Sequence, residues 1–211
     1  MHLTPHTPKA TLDAQHKKQA LDDQEEFQPF INGLNQFLKA VEQAEQSGES
    51  EEHLKDPLKD FLKNKALFAQ QYGINSKSLK GRIEIDMAIH NGERTDSPVG
   101  VLMEVKRPGN QSEMISAEQP NKKALQEAVF YYLWEKAVND NHELKHIVIT
   151  NLYEWYIFDA TEFNRLFYQE KQLVDYIRQY RDKKLDARNT TELHNFLGRT
   201  IDRKTESLPG P

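Results

Sequence analysis

The stretch KGRIEIDMAIHNGERTDSPVGVLMEVKRP, Lys80 to Pro108, predicts two strands joined by a loop. In its first half, apolar residues alternate with polar or small ones, a period of two that is typical of a half-buried strand: Ile83, Ile85, Met87 and Ile89. Asn91-Gly92 predicts a turn, because both residues tolerate positive φ. In the second half, four apolar residues share one face: Val99, Val101, Met103 and Val105. Pro108 has no N–H to donate, so we expect the second strand to end before it.

Charged residues of this stretch indicate a chemical site. Glu104 and Lys106 share the other face of the second strand, and antiparallel pairing would bring Asp86 close to both. Two neighbouring carboxylates repel each other unless a cation or a proton relieves the repulsion. Oxygen ligands without cysteine suit Mg²⁺, for which Mn²⁺ can substitute. A nearby lysine can orient a water or stabilise a pentavalent phosphate, which is the chemistry of phosphodiester hydrolysis. A Glu-x-Lys tripeptide taken alone is also a common solvated ion pair.

The order Asp86, then Glu104-Val105-Lys106, resembles the PD-(D/E)xK nuclease signature. More narrowly, residues 27 to 170 resemble the N-terminal endonuclease domain of bifunctional type II restriction–modification enzymes. Four segments carry this resemblance: EEHLKDPLKDFL, GRIEIDMAIHNG…SPVGVLMEVKRP, ALQEAVFYYLWE and HIVITNLYEWYIFDA. The resemblance implies a Mg²⁺-dependent DNA endonuclease in which Asp86, Glu104 and the Val105 carbonyl hold the metal. Lys106 would act on the attacking water.

Helices are predicted upstream of this core. Apolar residues recur at helical spacing from Phe27 to Val41, and Gln46-Ser47-Gly48 ends that helix. In the next segment, SEEHLKDPLKDFLK, Pro57 either kinks a helix or begins one behind an Asp56 cap. In the family it resembles, a helical acid completes the outer shell of the metal. Glu52 is our candidate and Glu51 the alternative, although acids also favour a helix N-terminus through its dipole alone.

A second helix is predicted after an irregular loop over residues 109–120. Its buried face consists of Leu125, Ala128, Val129, Tyr132 and Leu133. Gln126 borders this face, whereas Glu127 points nearly opposite to it. The resemblance implies a glutamine beside the active site, often followed by a tyrosine. Gln126 fits the glutamine, but position 130 is phenylalanine, and Tyr131 and Tyr132 leave the role of the tyrosine open.

The remaining elements complete an α/β fold class. KHIVIT and Trp155–Phe158 predict two more strands, and residues 161–204 predict helices, whereas Tyr72–Lys80 reads as a polar link. With two or three strands before the central helix, the order predicts a restriction-endonuclease-like mixed central sheet flanked by helices, with an N-terminal helical extension and C-terminal helices. We divide the chain into a mobile segment (1–20), a nuclease domain (21–170) and a C-terminal helical extension with its tail (171–211).

Composition limits the function classes. The 211 residues have a formal net charge of −5, which argues against a generally basic DNA-coating protein but allows a local basic groove. The absence of cysteine excludes disulfides and thiolate catalysis and suits the cytoplasm. No apolar run approaches the ~18 residues that a membrane span requires. Basic residues beside the core are candidates for contacts with DNA phosphates, although solvated side chains are the simpler interpretation: Lys80, Arg82, Arg107, Lys122 and Lys123.

Three functions remain open at this stage. The first is DNA cleavage, and the second is a catalytically inactive nucleic-acid-binding or structural module on the same fold. The third is a metal hydrolase that does not act on nucleic acid. The chain contains no Asn-Pro-Pro-Tyr and no glycine-rich cofactor loop. We therefore expect either a fragment of such an enzyme or a free-standing nuclease, with DNA sequence read by a methyltransferase or specificity region in the same or another chain. The oligomeric state is open, a homodimer included.

Overall fold

The computed structural model describes residues 24–65, 71–79, 83–182 and 190–206. Within these ranges the α-helices are α1 (Gln24–Gln46), α2 (Glu51–Asp60), α3 (Lys123–Ala137), α4 (Ala160–Phe163), α5 (Lys171–Arg181) and α6 (Thr190–Glu206). The strands are β1 (Ile74–Leu79), β2 (Ile83–His90), β3 (Val99–Val105), β4 (His146–Thr150) and β5 (Trp155–Asp159). Short π-helical turns follow α2 and α4. The segment 1–20, the tail 207–211, Lys80 and Arg82 lie outside the described residues.

The five strands form one mixed sheet in the order β1-β2-β3-β4-β5. β1, β2 and β3 pair antiparallel, β4 runs parallel to β3, and β5 pairs antiparallel with β4. Parallel pairing needs a crossover connection, and the chain from β3 to β4 supplies it through α3. The predicted α/β class, with a mixed central sheet flanked by helices, is therefore confirmed.

β1 corrects one of our predictions. The segment from Tyr72 to Lys80 was interpreted as a polar link, but Ile74–Leu79 pairs with β2 along its length. Its sequence, INSKSL, lacks the alternation of apolar residues that marks a half-buried strand. As an edge strand it owes its conformation to its neighbour, a tertiary effect that local sequence does not reveal.

Helices cover both faces of the sheet. α1 and α2 pack on one face, where their apolar residues meet those of the strands: Phe37, Val41, Leu54 and Leu58 against Met87, Met103, Val105 and Val148. α3 lies on the other face and packs against α5 and α6 in a second, larger cluster. Leu173, Ile177 and Leu197 of the C-terminal helices are buried in that cluster. The helices after residue 170 therefore share the core of the sheet.

The alternation predicted for the two central strands is interrupted twice. Ile85 packs in the α3 cluster and Met87 in the α1–α2 cluster, so the first strand does not keep one apolar face. The pairing of β2 with β3 ends at Met87 and Met103, and beyond this pair the two strands separate. A register shift opposite His90 also places Val99 in the α3 cluster, whereas Met103 and Val105 lie on the predicted face.

Pro57 lies inside α2 and does not begin it. The helix starts at Glu51, where the side chain of Ser50 accepts a hydrogen bond from the His53 N–H as the N-cap. The alternative of an Asp56 cap is therefore wrong. A proline in a helix removes one backbone donor, and the α-helix gives way to a π-helical turn at Phe61–Lys65. None of the helices in the described residues is long and apolar enough to cross a membrane.

Candidate active site

A cavity of 380 Å³ opens at the end of the sheet where β2 begins and β3 ends. Both strands, α2, α3 and α6 contribute to its wall. Its lining residues are Glu51, Glu84, Asp86, Glu104, Lys106, Lys123, Glu127, Phe130, Tyr131, Leu193 and His194. Asp86, Glu104 and Lys106, the three residues of the predicted nuclease signature, therefore share one cavity.

Asp86 bridges the separating ends of β2 and β3. Because strand pairing stops at Met87, the Val105 N–H lacks a backbone partner on β2, and it donates to Oδ2 of Asp86 at 2.8 Å. Oδ1 accepts a hydrogen bond from Nζ of Lys55 at 2.6 Å. Burial raises the pKa of Asp86, and the hydrogen bond and charge of Lys55 only partly oppose this shift.

Lys106 is buried among carboxylates. Its Nζ lies 2.6 Å from Glu104 and 2.7 Å from Glu127, with Glu113 at 3.7 Å. Burial alone would lower the pKa of Lys106, but Glu104 and Glu127 outweigh burial and raise it. The ammonium is therefore charged throughout the physiological pH range. In this state Lys106 cannot accept a proton, so its chemical value is electrostatic.

Glu104 has one unsatisfied oxygen. The residue is only 2 % exposed, and its Oε2 has no hydrogen-bond partner in the described part of the chain. Burial raises the pKa of Glu104 well above its usual range, and the negative charges of Asp86 and Glu127 raise it further. For Glu127, burial acts in the same direction, but the charge of Lys106 and hydrogen bonds from its neighbours lower the pKa. The pKa of Glu104 is therefore shifted upward and that of Glu127 downward, although both carboxyls lie against Lys106.

Sequence reasoning missed Lys55 and Glu127. Lys55 lies one turn after Glu51 and Glu52, so its spacing in the helix places it on their side. Glu127 was expected to point away from the core, and this expectation is wrong because α3 is enclosed by the sheet, α5 and α6. A helix that is buried on nearly every side has no polar face for periodicity to identify.

The two candidate acids of α2 occupy different positions. The side chain of Glu52 is 79 % exposed and pairs with Lys55 at 2.8 Å. Glu51 lines the cavity, and its Oε2 accepts a hydrogen bond from the Arg107 N–H at 3.0 Å. Glu51, which was the alternative, is therefore the acid that lies at the cavity.

Gln126 and the two tyrosines also divide into residues that line the cavity and residues that do not. Nε2 of Gln126 donates to Asn121 Oδ1 at 3.1 Å, and Gln126 does not line the cavity. Tyr131 does line it, and burial together with the nearby carboxylates raises the pKa of its hydroxyl. The hydroxyl of Tyr132 instead donates to the Ala160 carbonyl at 3.2 Å, which ties α3 to α4.

The basic candidates differ in their position relative to the cavity. Lys123 lines the cavity and lies 3.1 Å from Glu113. Lys122 lines a neighbouring cavity of 730 Å³ formed largely by the loop that follows β3. Met114 and Ile115 of this loop are buried, so the segment predicted as irregular is anchored in the core. The side chain of Arg107 is exposed.

α6 contributes a residue that no sequence pattern singled out. His194 lines the cavity, and its Nδ1 is buried without a hydrogen-bond partner in the ranges that the structure describes. Burial lowers the pKa of its ring. The only hint in the sequence is position, because His194 borders the apolar stripe of Leu193 and Leu197.

The groups expected to hold a divalent cation are the carboxylates of Asp86 and Glu104 and the carbonyl of Val105. Among the described residues, no group of three or more acidic, histidine or cysteine side chains is arranged around a metal position. The predicted set differs from such a group, since it contains two carboxylates and a backbone carbonyl. Asp86 and Glu104 lie on the same cavity wall, and the unsatisfied Oε2 of Glu104 is the type of oxygen that Mg²⁺ binds. Carboxylates are the ligand type that a hard cation prefers.

The comparison with known families gives one match. The chain belongs to the DUF7149 family. The family model, described as "Domain of unknown function (DUF7149)", matches residues 6–209. No curated protein and no solved structure matches the chain. The DUF7149 match includes every described element, so the strands that supply Asp86 and Glu104 and the helix that supplies His194 lie within one family domain.

Proposed function

We propose that this chain is a Mg²⁺-dependent DNA endonuclease of the PD-(D/E)xK type. The observation that carries the proposal is the convergence of Asp86, Glu104 and Lys106 in one cavity at the end of two adjacent strands. A five-stranded mixed sheet with helices on both faces agrees with the restriction-endonuclease-like fold that the sequence resemblance implies. The reaction is hydrolysis of a phosphodiester bond by water.

Asp86 and Glu104 would hold the metal ion, with the Val105 carbonyl as a third ligand. When bound, Mg²⁺ or Mn²⁺ would supply Lewis acidity toward the phosphate and lower the pKa of a bound water. Glu104 would have to be ionised to bind a cation, since metal ligands bind in their deprotonated form, and its raised pKa opposes this. Lys55, which now neutralises Asp86, competes with a metal for the same carboxylate.

Lys106 would stabilise the transition state. Its ammonium stays charged, and Glu127 holds it in place through a hydrogen bond of 2.7 Å. Negative charge accumulates on the phosphate oxygens as water attacks, and a fixed cation in a buried site offsets this charge without reorganisation. Glu127 is accordingly a positioning residue for Lys106.

DNA would approach the end of the sheet where the cavity opens. Lys123 lines the cavity, Lys122 lines the neighbouring one, and the Arg107 N–H binds Glu51 of the cavity wall, so these three are candidates for phosphate contacts. Such contacts carry no sequence information by themselves. A target-recognition region and a methyltransferase would therefore have to come from elsewhere in the same chain or from a partner.

One observation favours a catalytically inactive nucleic-acid-binding module on the same fold. The carboxylates of Asp86, Glu104 and Glu127 are matched by lysines, Lys55 for the first and Lys106 for the other two. Apart from Oε2 of Glu104, an ion-pair network of this kind is satisfied without a metal. This second candidate predicts DNA binding without turnover.

Plasmid nicking separates the two candidates. Supercoiled DNA is incubated with the chain in Mg²⁺, in Mn²⁺ and in EDTA. Asp86→Asn should abolish nicking, whereas Asp96→Asn should not, since Asp96 lies in the loop after β2 and pairs with Arg94 on the surface. DNA binding without metal-dependent nicking by the wild-type chain would favour the binding module.

A further inference from the structure

Two unsatisfied polar atoms share the cavity wall. In the described residues, Oε2 of Glu104 and Nδ1 of His194 are both buried without a partner. Buried polar atoms nearly always have a hydrogen-bond partner, so two exceptions in one cavity call for an explanation. A metal would satisfy the carboxylate oxygen. His194 belongs to no metal-binding group in the described residues, so its Nδ1 calls for a partner of its own.

The surroundings of His194 indicate what that partner is. Burial has the largest effect on the ring of His194 and lowers its pKa. Glu127 on α3 opposes this shift, Lys123 and Lys106 add to it, and Glu113 in the loop acts in the same direction as Glu127. A neutral imidazole carries one N–H and one lone pair. The N–H faces a cavity that Lys106 and Lys123 also line, and it fits a ligand with acceptor oxygens.

We propose that His194 donates a hydrogen bond from Nδ1–H to a phosphate oxygen of the nucleic acid bound in this cavity. The proposal rests on the proposed function, which makes the substrate a phosphodiester, and it adds a substrate-binding residue from α6. Lys106 and Lys123 line the same cavity, and His194 contributes direction, because its ring holds the N–H at a fixed angle. No bond is made or broken by His194.

Three substitutions test the position of the donor. His194→Asn keeps an amide N–H near the place of Nδ1, His194→Gln places it near Nε2, and His194→Ala has none. We expect the KM for DNA nicking to rise roughly 10- to 100-fold in His194→Ala and His194→Gln, the range for one hydrogen bond to a charged group. His194→Asn should stay close to wild type, and kcat should change less than KM.

His142→Asn is the matched control, because His142 is exposed and pairs with Asp140 away from the cavity. Melting temperatures show whether each variant folds. If His194→Ala does not fold, the contrast between the asparagine and glutamine variants still decides. Equal activity of those two variants would overturn the proposal.

A second readout does not depend on cleavage. The ring signals of His194 are followed by NMR in the full chain, in EDTA, during titration with a short DNA duplex and separately with inorganic phosphate. We expect saturable shifts and a rise in the pKa of the ring, because the anion favours its protonated form. Wild-type nicking with an unresponsive ring would refute the role of His194 but not the nuclease. If the ring responds but the chain does not nick DNA, the nuclease is refuted and the phosphate contact is retained. If the ring does not respond and the chain does not nick DNA, both proposals are refuted.

Discussion

The ammonium of Lys106 lies 2.6 Å from Oε1 of Glu104, and both side chains are almost completely buried. Removal of one partner from a buried ion pair is costly, since the charge that remains has no compensation. Lys106 is therefore needed for stability as well as for the chemistry that we propose.

The first prediction concerns stability and pH. Lys106→Met should destabilise the fold by about 3–5 kcal/mol near neutral pH. The loss should be smaller in acid, because Glu104 and Glu127 can take up protons once the lysine is absent. Urea unfolding at about pH 5 and about pH 8 measures the difference. Lys39→Met on the exposed side of α1 is the control, and a loss independent of pH would contradict this account.

The second prediction concerns turnover by the same variant. Under conditions in which Lys106→Met is folded, nicking should fall by roughly 10²–10³, the usual effect of removing one preorganised electrostatic group. Ground-state DNA affinity should change little, because the interaction is formed in the transition state. Nicking rates and DNA affinity are measured on the same preparation. A variant that cuts at the wild-type rate would remove Lys106 from the mechanism.

The third prediction concerns metal binding. The pKa of Glu104 is raised, so its proton must leave before a cation binds, and affinity should increase with pH until that group is ionised. At pH values below the pKa of Glu104 in the metal-free chain, metal affinity should rise about tenfold per pH unit, because binding releases a single proton. Calorimetry with Mn²⁺ in buffers of different ionisation enthalpy counts the released protons. Glu104→Gln should release none, and equal wild-type affinity in mild acid and mild base would argue against a protonated Glu104.

The fourth prediction concerns Lys55. Its ammonium neutralises Asp86, so Lys55→Ala should lower the melting temperature of the metal-free chain. Saturating Mg²⁺ should then raise the melting temperature of the variant more than that of the wild type, because the ion replaces the missing cation. Lys59→Ala in the same helix provides the comparison. An identical Mg²⁺ response in both variants would show that Lys55 does not compete with the metal.

The fifth prediction concerns DNA recognition. The isolated chain should bind duplex DNA weakly and without sequence preference, with an affinity that falls steeply as salt increases. Lys122→Ala should reduce the slope of the salt dependence by about one counterion. Lys63→Ala in the exposed π-helical turn after α2 should leave the slope unchanged. Tight binding to one short DNA sequence with little salt dependence would show that this chain contains a sequence-recognition region.

Sequence predicted the parts of the structure that local pattern controls. β2, β3, β4 and β5 follow from runs of apolar residues. Asp86 and Glu104 line one cavity because the neighbouring strands that carry them pair antiparallel. β1 was missed because its conformation depends on β2. The detailed packing of β2 was also missed, because the strand separates from β3 at Met87 for tertiary reasons.

The candidate site was predictable to the same degree. The order in the chain predicted that Asp86, Glu104 and Lys106 converge, and the three residues line one cavity. Glu127 was misplaced because a fully enclosed helix gives no amphipathic signal. His194 reaches the cavity through the packing of α6 on α3, which brings together residues far apart in sequence. Nothing in its immediate neighbours predicts that contact.

The contribution of α6 also sets the order in which the site can be assembled. During synthesis the chain emerges N-terminal end first, at roughly 5–20 residues per second. The strands that hold Asp86 and Glu104 leave the ribosome well before residues 190–206, which supply Leu193 and His194 to the cavity wall. A nascent chain therefore carries its charged residues without a completed enclosure, and the cavity is closed only after α6 has been synthesised and has docked on α3.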